Sequence, residues 1–278
     1  MIVVTGAGGQ LGTAFRKVLP GARFLDRSHL DLADLTAIAP TLSAIGPSAI
    51  VNCAAYTAVD RAEDEEELAL VVNGEAVGVM AGFAADRDIP FVTFSTDYVF
   101  AGNATEPYVE SSPVDPVNAY GRTKLAGERA ALDRHPGALV IRTSWVISGT
   151  HPNFVATMVR LAAERDLTVV DDQRGLPTVA DDLAAGAEVA LRTGATGILH
   201  LANQGETTWF GLARRAVEQA GLPPERIQPC ATADYPTRAV RPAYSVLASE
   251  RLDELGMEPL PPWSESLPAV VEAQLARG

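Results

Sequence analysis

Short, continuously apolar runs alternate with longer alanine-rich stretches over the first two thirds of the chain. The runs over residues 2–5, 23–25, 49–53, 91–95 and 139–143 lack the period-two alternation of half-exposed strands. Strands buried on both faces read this way, and they belong to parallel sheets. Between them, residues 10–19, 35–45, 66–87 and 120–134 are long enough and alanine-rich enough to serve as crossover helices. The expected fold is α/β, a doubly wound parallel sheet of Rossmann type.

After Ser144 the alternation fades, and Trp145, Trp209, Pro223, Pro224, Pro236, Pro242, Pro261, Pro262 and Trp263 punctuate the chain. We therefore expect a first domain over residues 1–144, with part of 179–203 returning to it, and a smaller α/β region over 145–278. No internal repeat or low-complexity linker is visible. The acidic run Glu63 to Glu67 is expected to be a solvated helix start, where carboxylates complement the helix dipole.

Composition narrows the partners. The 278 residues are 47% hydrophobic and 21% charged, which suits one large core or two modest ones and does not suit a disordered chain. With 35 acidic against 22 basic residues the formal charge is -13, so neither duplex nucleic acid nor an anionic membrane surface is expected as a partner. Cys53 and Cys230 make no disulfide framework, and free thiols in a reducing compartment are expected. No basic region precedes Ile2, and no apolar stretch is expected to approach the roughly 20 residues of a membrane helix. The expectation is a cytoplasmic protein.

Two motifs carry chemistry. Thr5-Gly6-Ala7-Gly8-Gly9-Gln10-Leu11-Gly12 follows the first strand and opens a helix. Gly6, Gly9 and Gly12 permit a tight turn and close backbone approach, so that a pyrophosphate can rest on the amides at the positive helix end. Asp26 ends the second strand, where a carboxylate would accept hydrogen bonds from an adenosine ribose and favour NADH. Arg27 beside it would hold a 2'-phosphate and favour NADPH, so both coenzymes fit.

The second motif is Tyr120 with Lys124, four apart at a helix start and therefore on one face. A neighbouring ammonium that stabilises the phenolate would make the tyrosine a better proton donor. Only two of the 22 cations are lysines, Lys17 and Lys124. Ser95-Thr96-Asp97 follows a buried strand, at the sheet edge where parallel sheets meet ligands. There Thr96 can hydrogen-bond a carbonyl while Tyr120 protonates it.

Gly6-x-x-Gly9-x-x-Gly12, the strand-end Thr96 and Tyr120-x-x-x-Lys124 resemble the extended short-chain dehydrogenase/reductase superfamily, which acts largely on nucleotide sugars. The segments 52–60, 95–100, 142–146, 172–178 and 241–247 are similar, in order and spacing, to the dTDP-4-dehydrorhamnose reductase family, and the likeness covers nearly the whole chain. The resemblance implies reduction of the C4 ketone of dTDP-4-dehydro-L-rhamnose with NADPH or NADH. It makes the first domain dinucleotide-binding and the second mainly substrate-binding. Tyr120 becomes the general acid, Lys124 the residue that holds the nicotinamide ribose and polarises Tyr120, and Thr96 the partner of the reacting oxygen.

The same resemblance places Gly9, Gln10 and Leu11 at the pyrophosphate, Asp26 at the adenosine ribose and Asp31 and Leu32 at the adenine. Ala55, Tyr56 and Thr57 meet the middle of the coenzyme, while Thr96, Asp97 and Trp145 line the sugar. Arg241, in Arg-Pro-x-x-Ser-x-Leu, is expected to grip the substrate diphosphate or base, since guanidinium pairs well with phosphate oxygens. Arg174 and Arg238 are weaker candidates, each more in keeping with a surface charge. Some members of the family bind magnesium at a dimer interface through an acid two places after the last motif glycine. Here that place is Ala14, so no metal is expected, and the chain is expected to be a monomer or weak homodimer. Two other readings stay open: a reductase of another dTDP-4-keto-6-deoxysugar, and a non-catalytic coenzyme-binding subunit, which the complete set Thr96, Tyr120 and Lys124 disfavours.

Overall fold

The five apolar runs lie in one parallel sheet in the computed structural model, which describes residues 1–277. Its strands are β1 (Ile2–Thr5), β2 (Arg23–Leu25), β3 (Ala49–Asn52), β4 (Phe91–Thr96), β5 (Leu139–Thr143) and β6 (Gly197–His200). They run in the order β6-β5-β4-β3-β1-β2, every pair parallel. Every residue of β3, β4 and β5 is buried, which is why these segments read as unbroken apolar runs.

Eight longer helices accompany the sheet: α1 (Gln10–Val18), α2 (Leu35–Ile45), α3 (Glu66–Ala85), α4 (Ala119–Arg134), α5 (Phe154–Glu164), α6 (Ala180–Arg192), α7 (Trp209–Gln219) and α8 (Trp263–Leu275). α1 and α6 pack together over one sheet face, while α2, α3 and α4 follow one another over the opposite face. The sheet is thus wound on both sides. Its topological switch lies between β1 and β3, the neighbours from which the chain departs in opposite directions. Ligands of open parallel sheets bind outside the carboxyl ends of such a pair.

α3 corrects one expectation. By length and composition it is apolar enough to cross a membrane. Half of it is buried inside the protein, between α2 and α4, which accounts for its apolarity as that of a core helix. A π-helical turn at Val71–Glu75 interrupts it.

Beyond β5, helices α5, α7 and α8 enclose a third core built from Ile147, Val155, Val159, Leu212, Leu267 and Val270 among others. Short pairings stitch this region: Leu167–Val170 with Ile227–Cys230 in parallel, and Arg174–Gly175 with Thr207–Thr208 antiparallel. α6 and β6 interrupt the region and join the large sheet.

Candidate active site

The glycine turn sits at the switch point. Gly6 has φ +67°, and a Cβ there would lie 2.5 Å from the Ala54 nitrogen. A Cβ on Gly12 would lie 2.2 Å from the Gly6 carbonyl oxygen. Side chains are therefore excluded at both places, and β1, the turn and the start of α1 approach the tip of β3 closely. Gly9 caps α1 without any side-chain acceptor, and Gly8 faces open space. The first amides of α1 are left to meet an anion, as a dinucleotide pyrophosphate requires.

The turn after β2 is closed by Asp26. Its Oδ1 accepts from the Ser28 backbone and hydroxyl at 2.9 and 2.6 Å and faces His29 Nδ1 at 2.7 Å. Hydrogen bonds from Ser28 and then His29 hold its carboxyl down to about 2. Asp26 is thus an ionised turn closure. Arg27 is largely exposed and pairs with Asp31 at 3.1 Å, while Leu32 is buried in the core beneath.

Three buried amides organise the crevice. Asn52 accepts from the Thr5 hydroxyl at 2.6 Å and donates to Thr93 Oγ1 at 3.1 Å, tying β1, β3 and β4 together. Asn73, presented by the π-turn of α3, brackets Tyr56, accepting from its N–H at 2.8 Å and donating to its carbonyl at 3.1 Å. It also donates to Thr123 on α4, so the loop carrying Ala55, Tyr56 and Thr57 is fixed against the helix carrying Tyr120. Asn118 caps α4 through Gly121 N–H at 2.8 Å and donates to the Val240 carbonyl at 2.9 Å. None of the three stands out in sequence, because an amide reveals its role only through partners from distant segments.

Tyr120 and Lys124 occupy the first turns of α4, one facing the crevice rim and the other the sheet. Tyr120 meets the Tyr98 ring edge-on at 5.8 Å. Burial, then the neighbouring Asp97 charge, push its phenol up to about 12, with Thr96 opposing. Lys124 is buried, and its Nζ donates to the Phe94 carbonyl at 2.6 Å. Burial draws its ammonium down to about 8, against the pull of Glu128. The ammonium is aimed at the β4 backbone. One turn further along α4, Glu128 forms a two-pronged buried pair with Arg142 at 2.7 and 2.9 Å.

Thr96 ends β4. Its hydroxyl accepts from Tyr98 N–H at 3.2 Å and donates to Asp97 Oδ1 at 2.9 Å. Asp97 is buried, and its Oδ2 has no partner. Burial raises its carboxyl to about 7, with Ser245 and Thr96 opposing. Register places Thr96 beside Thr143 on β5, two residues before Trp145. Trp145 has φ +44°, a conformation that strains a bulky residue by about 1–3 kcal/mol.

Arg241 is only 16% exposed and pairs with Asp60 at 2.8 Å, whose other oxygen accepts from Ala239 N–H at 3.0 Å. Arg238 is 60% exposed and pairs with Asp64, and Arg174 pairs with Glu206 at 2.6 Å. The run Glu63 to Glu67 is not merely solvated. Glu63 accepts from Ala119 N–H at 2.8 Å, Glu65 from Tyr56 and Arg61, and Glu66 from Arg122. The side chain of Gln10 reaches the Val146 carbonyl at 3.0 Å and Ser148 at 2.9 Å and so bridges the two regions. His151 leans on the glycine turn, with Nε2 3.0 Å from the Gly8 carbonyl.

A glycine turn at the switch point of a parallel sheet, with hydroxyls and a buried lysine near the neighbouring strand ends, defines a Rossmann-type protein. The family model for the RmlD substrate binding domain matches residues 1–276, and the chain belongs to that family. It is 43% identical to a dTDP-4-dehydrorhamnose reductase of Streptomyces griseus, over 96% of this chain and 93% of the relative. It is 40% identical to a dTDP-4-keto-6-deoxy-D-glucose reductase of Streptomyces niveus, over 95% and 94%. Among solved structures, it is similar to a dTDP-4-dehydrorhamnose reductase from Bacillus anthracis in complex with NADP, with TM-score 0.93, 33% identity and coverage of 100% and 99%.

Proposed function

We propose that this chain reduces the C4 ketone of dTDP-4-dehydro-L-rhamnose to dTDP-L-rhamnose with NADPH or NADH. The reading rests above all on the convergence of Thr96, Tyr120 and Lys124 at the carboxyl ends of β4 and α4's first turns, beside a glycine turn at the switch point. Residues 1–144 with 180–200 would carry the coenzyme and the remainder most of the substrate contacts. A bound reduced nicotinamide would supply the hydride for the carbonyl carbon. Tyr120, whose phenol keeps its proton throughout the neutral range, delivers that proton to the carbonyl oxygen. Thr96 turns its hydroxyl from Asp97 to the same oxygen and orients it. Lys124 has further N–H donors beyond the one on Phe94, available to a ribose hydroxyl.

Gly9, Gln10 and Leu11 would meet the pyrophosphate, and Asp26 or Arg27 the adenosine ribose or its 2'-phosphate. Asp97 and Trp145 would line the sugar, and Arg241 would hold the diphosphate. We further propose a monomer or weak homodimer without a metal in its interface, because Ala14 is packed in the core. Free Cys53 and Cys230 fit a reducing, cytoplasmic setting. Supplying purified protein with the ketosugar and each reduced coenzyme tests the activity, and loss of coenzyme absorbance is expected. No turnover with either coenzyme would sink the reading. A second reading, reduction of another dTDP-4-keto-6-deoxysugar, is favoured by the Streptomyces niveus relative, and a panel of ketosugars separates the two.

A further inference from the structure

The indole of Trp145 is held by a residue that neither motif contains. It lies flat on Trp209, with ring centroids 3.6 Å apart and planes 10° apart. Phe154 leans against Trp209 from another side at 4.7 Å and 58°. Gly175 completes the seat, since a Cβ there would stand 2.6 Å from the Trp145 ring. The backbone beneath is continuous. Gly175 pairs with Thr207 and Arg174 with Thr208, while Arg174 also donates to the Ala243 carbonyl and accepts from Ser245 N–H. Trp209 follows directly as the first residue of α7, whose cap Thr208 accepts from Gly211 N–H at 3.0 Å. It is therefore built onto the same ladder as the segment that carries Arg241.

We propose that Trp209 is a positioning residue that sets how the ketosugar is held: its stack on one face of Trp145, with Gly175 against the other, fixes the plane of that ring, and the ring edge left free meets the apolar part of the 6-deoxyhexose. The inference rests on the reading that Trp145 lines the sugar. Stacked aromatic pairs hold one ring orientation against many, and a strained backbone at φ +44° needs such support to keep its side chain in place. Because the stack touches no group that moves a proton, its loss is felt in substrate binding and spares the chemical step.

Steady-state kinetics on four variants decides the matter. Trp209→Ala is expected to raise the ketosugar KM about tenfold, near the upper end of what aromatic stacking supplies, with kcat and the NADPH KM changed less than about twofold. Trp209→Phe keeps a stacking ring and should restore the KM to within about threefold of the parent. Gly175→Ala keeps both indoles, displaces Trp145 and should raise the same KM selectively, which covers the case in which Trp209→Ala fails to fold. An unchanged KM in Trp209→Ala, or in Gly175→Ala where only that variant folds, overturns the proposal. So does a parallel loss of kcat and of NADPH binding. Trp145→Ala separates the layers: if it raises the ketosugar KM while the other variants do not, the inference alone fails, and if it does not, the reading of Trp145 fails with it.

Discussion

Tyr120 holds its proton far above neutrality because burial and the Asp97 charge both disfavour the phenolate. Such a group gives up a proton only to a strong base, such as the alkoxide that forms when a ketone accepts hydride. Tyr120→Phe is expected to lower kcat by about 10²- to 10⁴-fold while leaving coenzyme affinity unchanged, as measured by turnover and by coenzyme titration. Asp97 carries a second residue-scale consequence. Its carboxyl is raised to about 7 from an ordinary 3.8, so between those values the folded protein binds a proton that the unfolded chain has lost. Asp97 therefore makes stability fall as pH rises from about 4 to about 7, by up to the order of 4 kcal/mol, and level off above. Asp97→Asn removes this slope. Denaturant titrations of both proteins across that range should diverge, and parallel profiles would refute the assignment. Thr96, Tyr120 and Lys124 could be read in sequence because their types and spacing carry the chemistry. The raised carboxyl pKa of Asp97 could not, because it depends on burial by segments far along the chain.

Among the elements, α3 and α4 show what sequence pattern conveys and what it leaves out. The expected helix over 66–87 closely matches Glu66–Ala85, yet its π-turn at Val71–Glu75 leaves no mark on composition or periodicity. That turn brings the Asn73 carbonyl against α4 at Gly127, where a Cβ would stand 2.0 Å from the carbonyl oxygen. Helix propensity favours alanine over glycine by about 1 kcal/mol, but a backbone clash of this kind outweighs it. Gly127→Ala is expected to destabilise the fold by about 1–3 kcal/mol in denaturant titration, and a neutral or stabilised variant would show that α3 and α4 can part freely. The acidic start of α3 holds partners that its sequence does not announce, for a related reason. Glu63, Glu65 and Glu66 take partners from Ala119, Tyr56 and Arg122, and no local pattern announces a partner in another segment. Strands β1 to β5 are legible at nearly their true bounds, β3 to β5 because double-sided burial is written into each segment itself, whereas β6 is not expected from its sequence. The two-residue pairings after Ser144 are not legible either, since such short strands have no period to read.

For the molecule as a whole, a formal charge of -13 has to be reconciled with two anionic ligands. Charges beyond a Debye length of about 8 Å are largely screened at physiological salt, so the nearest donors decide binding. On the coenzyme side these are the uncapped amides of α1. Under the proposed function the candidate cations on the substrate side are arginines that already have carboxylate partners, Arg241 with Asp60, Arg238 with Asp64 and Arg174 with Glu206. Their burial separates them. Arg241, at 16% exposure, has lost most of its water and gains from a phosphate partner, whereas Arg238, at 60%, is a screened surface charge. Arg241→Ala is accordingly expected to raise the ketosugar KM by at least about tenfold, given about 1.5–3 kcal/mol for hydrogen bonds to a charged group. Arg238→Ala should stay within about twofold, because exposed pairs contribute about 0–1 kcal/mol. The effect at Arg241 should shrink only modestly between low and physiological salt, since a partly buried charge is poorly screened. Michaelis curves for both variants at two ionic strengths test the ranking. Equal effects, or a larger one at Arg238, would move the diphosphate grip away from the segment that Asp60 and Asn118 fasten to the sheet domain.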